Sequence, residues 1–136
     1  MNDPELVDEA RRWLRFATED IDVAQRLLAV DESSPRHACF LAQQAAEKAL
    51  KAALVLEGID FPFRHDLDAL RNLLPDTWSV RSTHPDLAQL TEWSVEARYP
   101  SDWQEATATD AERAVAQARG VYNSIAAEFE RCTNAE

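Results

Sequence analysis

Apolar residues recur at steps of three and four along most of this chain, which predicts amphipathic helices. The segment Asp3-Pro4-Glu5 is typical of a helix start, because it combines a capping side chain, a proline at the first helical position and an acid that the helix dipole favours. We therefore expect a long first helix from this point. Its apolar stripe consists of Leu6, Ala10, Trp13, Leu14, Ala17, Ile21, Ala24 and Leu28.

The second predicted helix carries apolar residues on two sides. It begins at Ser34-Pro35 and runs to about Gly58, a residue typical of helix C-termini. Small residues on both sides allow other helices to approach closely, so this pattern predicts a central helix. One side holds Leu41, Ala45, Ala49, Ala52 and Leu56, and the opposite side holds Ala46, Leu50 and Leu54.

Two shorter helices are predicted in the middle of the chain. The stretch "DLDALRNLL" before Pro75 predicts the third, and the pattern of residues 76–82 is ambiguous. The segment Thr83-His84-Pro85-Asp86 resembles another capped start, and Leu87, Leu90 and Trp93 follow it. This fourth helix should stop near Arg98, because Tyr99 precedes a proline and is pushed towards an extended conformation.

A long closing helix is predicted from the segment Thr109–Glu112, which has the spacing of a capping box. Glycine is scarce, and no repeat or linker interrupts the chain. Residues 1–136 therefore predict one all-α domain, an antiparallel up-and-down helical bundle of about five helices.

Composition limits the partners and the chemistry. With 25 acidic and 14 basic side chains the formal net charge is −11, which disfavours duplex DNA and anionic membranes. Cys39 and Cys132 are too few for a disulfide framework or a zinc site, and Cys39 is expected in the core. No metal or other cofactor is expected. The absence of a long apolar run and of a signal-peptide pattern predicts a cytoplasmic protein.

The stretch "QQAAEKALKAAL" at residues 43–54 holds both lysines of the chain. Gln44, Glu47, Lys48 and Lys51 fall within one arc of roughly a quarter turn on the second helix. Glu47 and Lys51 are four residues apart in the favourable order, so an ion pair is expected. Two interpretations are open: the arc is the solvated side of a buried helix, or it lines a groove that binds an anionic ligand.

The order of several short motifs resembles the HEPN family of small helical domains. One branch of that family shows an aromatic residue and Gln-x-x-Glu-Lys-x-x-Lys on the second helix, then His-Asp-Leu, and later Arg-Tyr-Pro at a helix end. The matching positions here are Phe40, Gln44, Glu47, Lys48, Lys51, His65, Asp66, Leu67, Arg98, Tyr99 and Pro100.

The resemblance implies a HEPN-like bundle that forms homodimers and takes a nucleotide or RNA as ligand. It also implies a minimal nucleotidyltransferase as partner, in pairs that behave as toxin and antitoxin. The ligand would be held by Lys48, Lys51, His65 and Arg98. Many members of the family are metal-independent ribonucleases whose signature is an arginine, then four to six other residues, then a histidine.

That ribonuclease signature is absent from this chain. None of His37, His65 and His84 lies four to six residues after an arginine. A non-catalytic binding module is therefore the first hypothesis. The alternative is a ribonuclease toxin with a displaced site, in which Arg98 stabilises phosphorane charge and His65 transfers protons.

Other candidate residues have structural interpretations as well. His65 is expected to bond at a helix entry where Asp66 is the cap, and His37 and His84 are expected on the surface. Arg98-Tyr99-Pro100 is either a helix stop or a phosphate contact. The three tryptophans beyond the first helix are either stacking platforms for bases or anchors of a dimer interface: Trp78, Trp93 and Trp103.

Overall fold

The computed structural model describes residues 3–30, 35–62, 65–94 and 105–134. These residues form helices and connecting turns without any strand. The helices are α1 (Pro4–Leu28), α2 (Pro35–Leu56), α3 (Leu67–Asn72), α4 (Val80–Thr83), α5 (Ala88–Thr91) and α6 (Ala108–Asn134). The predicted all-α bundle is confirmed, with three long helices and three short ones.

Helix α2 lies at the centre of the bundle and packs against both α1 and α6, which also contact each other. The two-sided apolar pattern of α2 explains this position, because alanine lets neighbouring backbones approach closely. Seven of its alanines are 0–1% exposed: Ala38, Ala42, Ala45, Ala46, Ala49, Ala52 and Ala53. Cys39 is also fully buried, as predicted, and burial raises its pKa to about 11.

Three predicted helix ends are confirmed by their capping contacts. The Asp3 carboxylate accepts a hydrogen bond from the Glu5 amide at 2.9 Å. Asp66 accepts one from the Ala69 amide at 3.2 Å, so it is the cap of α3. Gly58 follows α2 with a φ of 69°, a left-handed conformation that glycine adopts without steric cost.

The start of the closing helix differs from the prediction. The capping box is formed by Thr107 and Asp110, whose side chains each accept the other's backbone amide at 3.0 Å. The predicted box of Thr109 and Glu112 is wrong by two residues. Both threonines have an acid three positions later, so spacing alone does not choose between them. The earlier start adds helical residues, and the Ala111 amide already donates to the Thr107 carbonyl.

The predicted fourth helix is shorter than expected and begins later. Thr83 ends α4, and α5 is a single turn that Asp86 opens by accepting from the Ala88 amide at 3.1 Å. Tertiary contacts with α3 explain the delay. Arg71, which also pairs with Asp68, donates to the His84 carbonyl at 2.9 Å. The carboxylate of Asp68 accepts from the Leu87 amide. The predicted stop near Arg98 lies outside the described residues.

Two of the tryptophans belong to the core. Trp78 is 1% exposed and donates from Nε1 to Glu57 Oε1 at 2.7 Å. Trp93 is 6% exposed. A buried ring cannot stack on a base or on a partner subunit, so both expectations for these two residues are wrong. Trp103 lies outside the described residues.

His84 is half-buried, against the expectation of a surface residue, because its ring packs on Gly120 of α6. Burial lowers the pKa of His84, and a hydrogen bond with the Gly120 backbone opposes this shift only in part.

We predict that Gly120→Ala lowers the free energy of unfolding, although alanine is usually about 1 kcal/mol better than glycine inside a helix. The new Cβ would lie 2.7 Å from Cε1 of His84, so the ring must move. In a His84→Ala background the same substitution should stabilise the protein by about 1 kcal/mol. Urea denaturation of the four proteins measures both effects, and an equal gain in both backgrounds would contradict this contact.

Candidate functional site

The carboxylate of Glu47 is the centre of the polar cluster on α2. Glu47 is only 5% exposed. Its Oε1 receives hydrogen bonds from Nδ1 of His65 at 2.7 Å and from Nε2 of Gln43 at 3.0 Å. Its Oε2 receives a hydrogen bond from Nζ of Lys51 at 2.9 Å, which confirms the predicted ion pair. One carboxylate therefore joins α2 to the connection that leads into α3.

Lys51 lies in a box made of this carboxylate and two aromatic rings. Its Nζ is 5.7 Å from the centre of the Trp13 ring and 5.5 Å from that of the Phe61 ring. The two rings meet edge to face, at 81° with centroids 6.5 Å apart. Ring faces attract a cation, so α1 and the loop after α2 both help to hold this lysine. Lys51 is consequently only 9% exposed.

Lys48 turns towards α1 and forms a separate ion pair. Its Nζ lies 2.6 Å from Oδ2 of Asp20, and the two side chains are 27% and 18% exposed. Among the described residues, Lys48 pairs with Asp20 and Lys51 with Glu47, so each of these two ion pairs is neutral. Additional positive charge has to come from a protonated His65 or from residues outside the described ranges.

Gln43 is the site residue that the sequence interpretation missed. It is fully buried, donates to Glu47 and also contacts the His65 carbonyl at 3.4 Å. Gln44, the expected motif position, instead donates to Oε1 of Gln43 at 2.7 Å. The available signal was spacing, since Gln43 and Glu47 are four residues apart on one helix. Asp20, Trp13 and Phe61 complete the cluster from elements distant in sequence.

The hydrogen bonds around Glu47 fix its charge and the tautomer of His65. Burial acts to raise the pKa of Glu47, but hydrogen bonds from Lys51, His65 and Gln43 outweigh it, so the pKa is lowered. An ionised carboxylate only accepts hydrogen bonds, so Nδ1 of His65 must carry a proton. Nε2 is then the nitrogen of His65 that gains or loses a proton.

Some of the predicted site residues meet and others do not. Lys51 and His65 both contact Glu47. The interpretation of the arc as the solvated side of α2 is wrong for Glu47 and Lys51, because both are buried. Lys48 and Gln44 remain partly exposed. His37 is exposed at the start of α2, in the surface position expected of it. The three candidates at Arg98, Tyr99 and Pro100 lie outside the described residues.

Comparison with known proteins identifies the fold. The sequence profile of the HEPN domain matches residues 10–128 of this chain. The chain belongs to the HEPN domain family. The match begins within α1 and ends within α6, so this HEPN domain includes every described residue of the Glu47 cluster.

Relatives of this HEPN domain occur in archaea and bacteria. A Methanocaldococcus jannaschii protein named "Putative toxin MJ1304" is 31% identical to it, and the alignment covers 85% of each chain. The crystal structure of TT1696 from Thermus thermophilus is 28% identical and superposes with a TM-score of 0.71 over 85% of this chain and 94% of that one. The crystal structure of ST0689, described as an archaeal HEPN homologue, is 25% identical with a TM-score of 0.66, over 88% and 97% respectively.

Two further observations concern metals and membranes. Across residues 3–30, 35–62, 65–94 and 105–134, no group of three or more histidine, cysteine, aspartate or glutamate side chains is arranged to hold a metal ion. Within the same ranges, none of the helices has the length and apolar character that a membrane span requires.

We predict that Glu47 contributes to the acid sensitivity of this HEPN domain. The pKa of Glu47 is lowered in the folded state from an ordinary value of 4.5, so below that pH the unfolded chain binds the proton more readily. Stability from this group is complete above pH 4.5 and decreases as the pH falls towards the folded-state pKa. Urea denaturation from neutral pH down into the acid range should show a weaker dependence for Glu47→Gln than for the wild type. Identical dependences would contradict the lowered pKa.

Proposed function

We propose that this HEPN domain is one component of a toxin–antitoxin type pair and binds a nucleotide or RNA without cleaving it. It acts as a homodimer beside a minimal nucleotidyltransferase partner. The relative named as a toxin supports this setting, and the family resemblance supports the partner and the dimer.

The observation that carries the binding proposal is the pairing of His65 and Lys51 on the two oxygens of Glu47. A protonated His65 beside Lys51 would present two cationic groups to an anion, both of them positioned by Glu47. The His65 side chain is 22% exposed, so a phosphate can approach it from solvent. Lys48 and Arg98 are proposed to contact the same ligand.

The chemistry of the cluster favours binding over cleavage. Metal-independent cleavage of RNA uses one group to remove a proton and another to supply one. Glu47 is held in its ionised form, and the two lysines are paired, so His65 is the residue of this cluster suited to proton transfer near neutral pH. His37 at the start of α2 and His84 against Gly120 belong to other parts of the bundle.

Thermal denaturation with added ligand tests the binding proposal. Nucleoside mono- and triphosphates and a short single-stranded RNA should each be compared with buffer, because a ligand of the folded state raises Tm. His65→Asn is the informative variant, since an amide N–H can replace the Nδ1 donor to Glu47 while the titrating nitrogen is removed. This variant should fold and lose the shift, whereas Arg113→Ala on the exposed side of α6 should keep it.

The same experiment tests the proposal in two further ways. The shift should be larger in mildly acidic than in mildly alkaline buffer, because protonation of His65 strengthens binding of an anion. The absence of a shift with all of these ligands, together with the absence of a co-purifying nucleotidyltransferase, would overturn the proposal.

The ribonuclease remains the second candidate, and one observation favours it. A buried carboxylate behind an imidazole fixes the tautomer and orientation that proton transfer requires, and Glu47 and His65 form such a pair. Purified protein incubated with cellular RNA should then cleave it, and both Arg98→Ala and His65→Ala should abolish cleavage. Cleavage that is unchanged in both variants would come from a contaminant, and intact RNA would support the binding module.

A further inference from the structure

The outer face of α1 exposes large apolar side chains that nothing in the described bundle covers. Phe16 is 41% exposed and Val23 is 42% exposed. They are seven residues apart, so they lie on one side of the helix, two turns from each other. Phe16 also borders a surface pocket that Glu9, Arg12 and Trp13 line. This face is therefore an apolar strip with charged residues beside it.

The charges beside Phe16 have a specific arrangement. Arg12 is four residues before Phe16 and Glu19 is three residues after it, and both are exposed. At about 100° per residue the two charges lie on the same flank of the strip. Each is about 5–6 Å from Phe16 along the helix axis. Neither has a hydrogen bond or an ion pair with any other described residue.

We propose that two copies of this chain associate through this face, with the two α1 helices antiparallel across a twofold axis near Phe16. A twofold axis perpendicular to the helix pair places opposite each other residues at equal distances on either side of it, and the midpoint between Arg12 and Glu19 lies half a residue before Phe16. Arg12 of one copy then lies beside Glu19 of the second copy, and the same pair forms again on the other side of the axis.

Charge complementarity is the reason to propose a second copy of this chain as the partner that covers this face of α1. Arg12 and Glu19, neither of them paired with a described residue, are the charges of this flank nearest to the strip, and they lie at nearly equal distances from its centre. The charges of two such strips are therefore complementary only when the two α1 helices run antiparallel. A parallel pair would place Arg12 opposite Arg12 and Glu19 opposite Glu19, which is repulsive. Two rings of Phe16 meet at the axis and remove their exposed area from water. The guanidinium of Arg15, 5.2 Å from the ring centre, covers its own copy's Phe16.

This interface would lie next to the Glu47 cluster. Trp13 lines the same pocket as Phe16, and its ring also contacts Lys51. The inference rests on the homodimer of the proposed function and locates its interface, so the bound ligand would be close to the junction of the two subunits.

Sedimentation velocity of the full chain tests the interface. Wild type should be a dimer, and Phe16→Glu should be a monomer with an unchanged helical circular dichroism spectrum. The matched control is Leu73→Glu, because Leu73 is 40% exposed but lies at the end of α3, away from the strip. This control should remain a dimer. Dissociation by Leu73→Glu together with an intact Phe16→Glu dimer would overturn the assignment.

Charge reversal tests the antiparallel register. Arg12→Glu and Glu19→Arg should each raise the dimer dissociation constant about tenfold, because each introduces two like-charge contacts. The double variant should restore the wild-type value, a rescue that self-association predicts and an unrelated partner does not. A dimeric wild type whose double variant is no better than the single ones would overturn the register. A monomeric wild type would overturn the inference and the proposed dimer, while the nucleotide-binding test stands separately.

Discussion

Glu47→Ala is expected to lower the free energy of unfolding by about 3–5 kcal/mol, which is the usual cost of breaking a buried ion pair by removing one partner. The substitution leaves the ammonium of Lys51, only 9% exposed, without its carboxylate. It also removes the acceptor for Nδ1 of His65 and for Nε2 of Gln43. Chemical denaturation followed by circular dichroism measures the loss.

Two further variants separate the ion pair from general effects of removing an acid. Glu112→Ala removes an exposed glutamate of α6 and should change the stability by less than about 0.5 kcal/mol. Glu47→Ala combined with Lys51→Met should recover part of the lost stability, because the buried ammonium that lost the Glu47 carboxylate is then removed. If the double variant is less stable than Glu47→Ala by the full amount of the Lys51→Met effect alone, the two residues do not interact.

Trp78→Ala is expected to destabilise the protein by about 3–5 kcal/mol, the usual cost of removing a large aromatic side chain from a core. Trp78 is 1% exposed, and its indole N–H donates to Glu57. Trp78→Phe should cost less, because it keeps most of the apolar volume and removes the hydrogen bond. Thermal and urea denaturation give both values.

The same variant tests whether Trp78 has a role on the surface. Trp78→Phe should leave the dimer and any nucleotide-induced rise in Tm unchanged, since the ring is enclosed within one subunit. Loss of the dimer or of ligand binding in a folded Trp78→Phe protein would show that Trp78 contributes to the interface or to the binding site.

The architecture was predictable because helix formation depends on local chemistry. Three- and four-residue periodicity predicted the long helices, and capping side chains marked the start of α1 at Pro4 and that of α3 at Leu67. The alanine-rich pattern on both sides of α2 predicted its central position. The errors occurred where two local signals compete or where tertiary contacts decide. Two equivalent capping boxes compete at Thr107 and Thr109, and bonds from Arg71 and Asp68 hold the chain before α5.

The candidate site was predictable only in part, for a related reason. A helix period places Glu47 and Lys51 on one arc and predicts their ion pair. It does not show that His65 lies over the same carboxylate, that Asp20 pairs with Lys48, or that Trp13 and Phe61 enclose Lys51. Those contacts join residues from α1, from α2 and from the connection to α3.

The sequence by itself determined the helical class of this protein, the starts of α1, α2 and α3 and the central place of α2, because these follow from interactions within a few residues. Its motif order also predicted the HEPN family. Only the tertiary structure decided that Glu47 is buried and ionised, that Gln43 supports it, and that Trp78 fills the core. Burial and long-range hydrogen bonds depend on how helices pack against one another, and packing brings together residues that no local pattern relates.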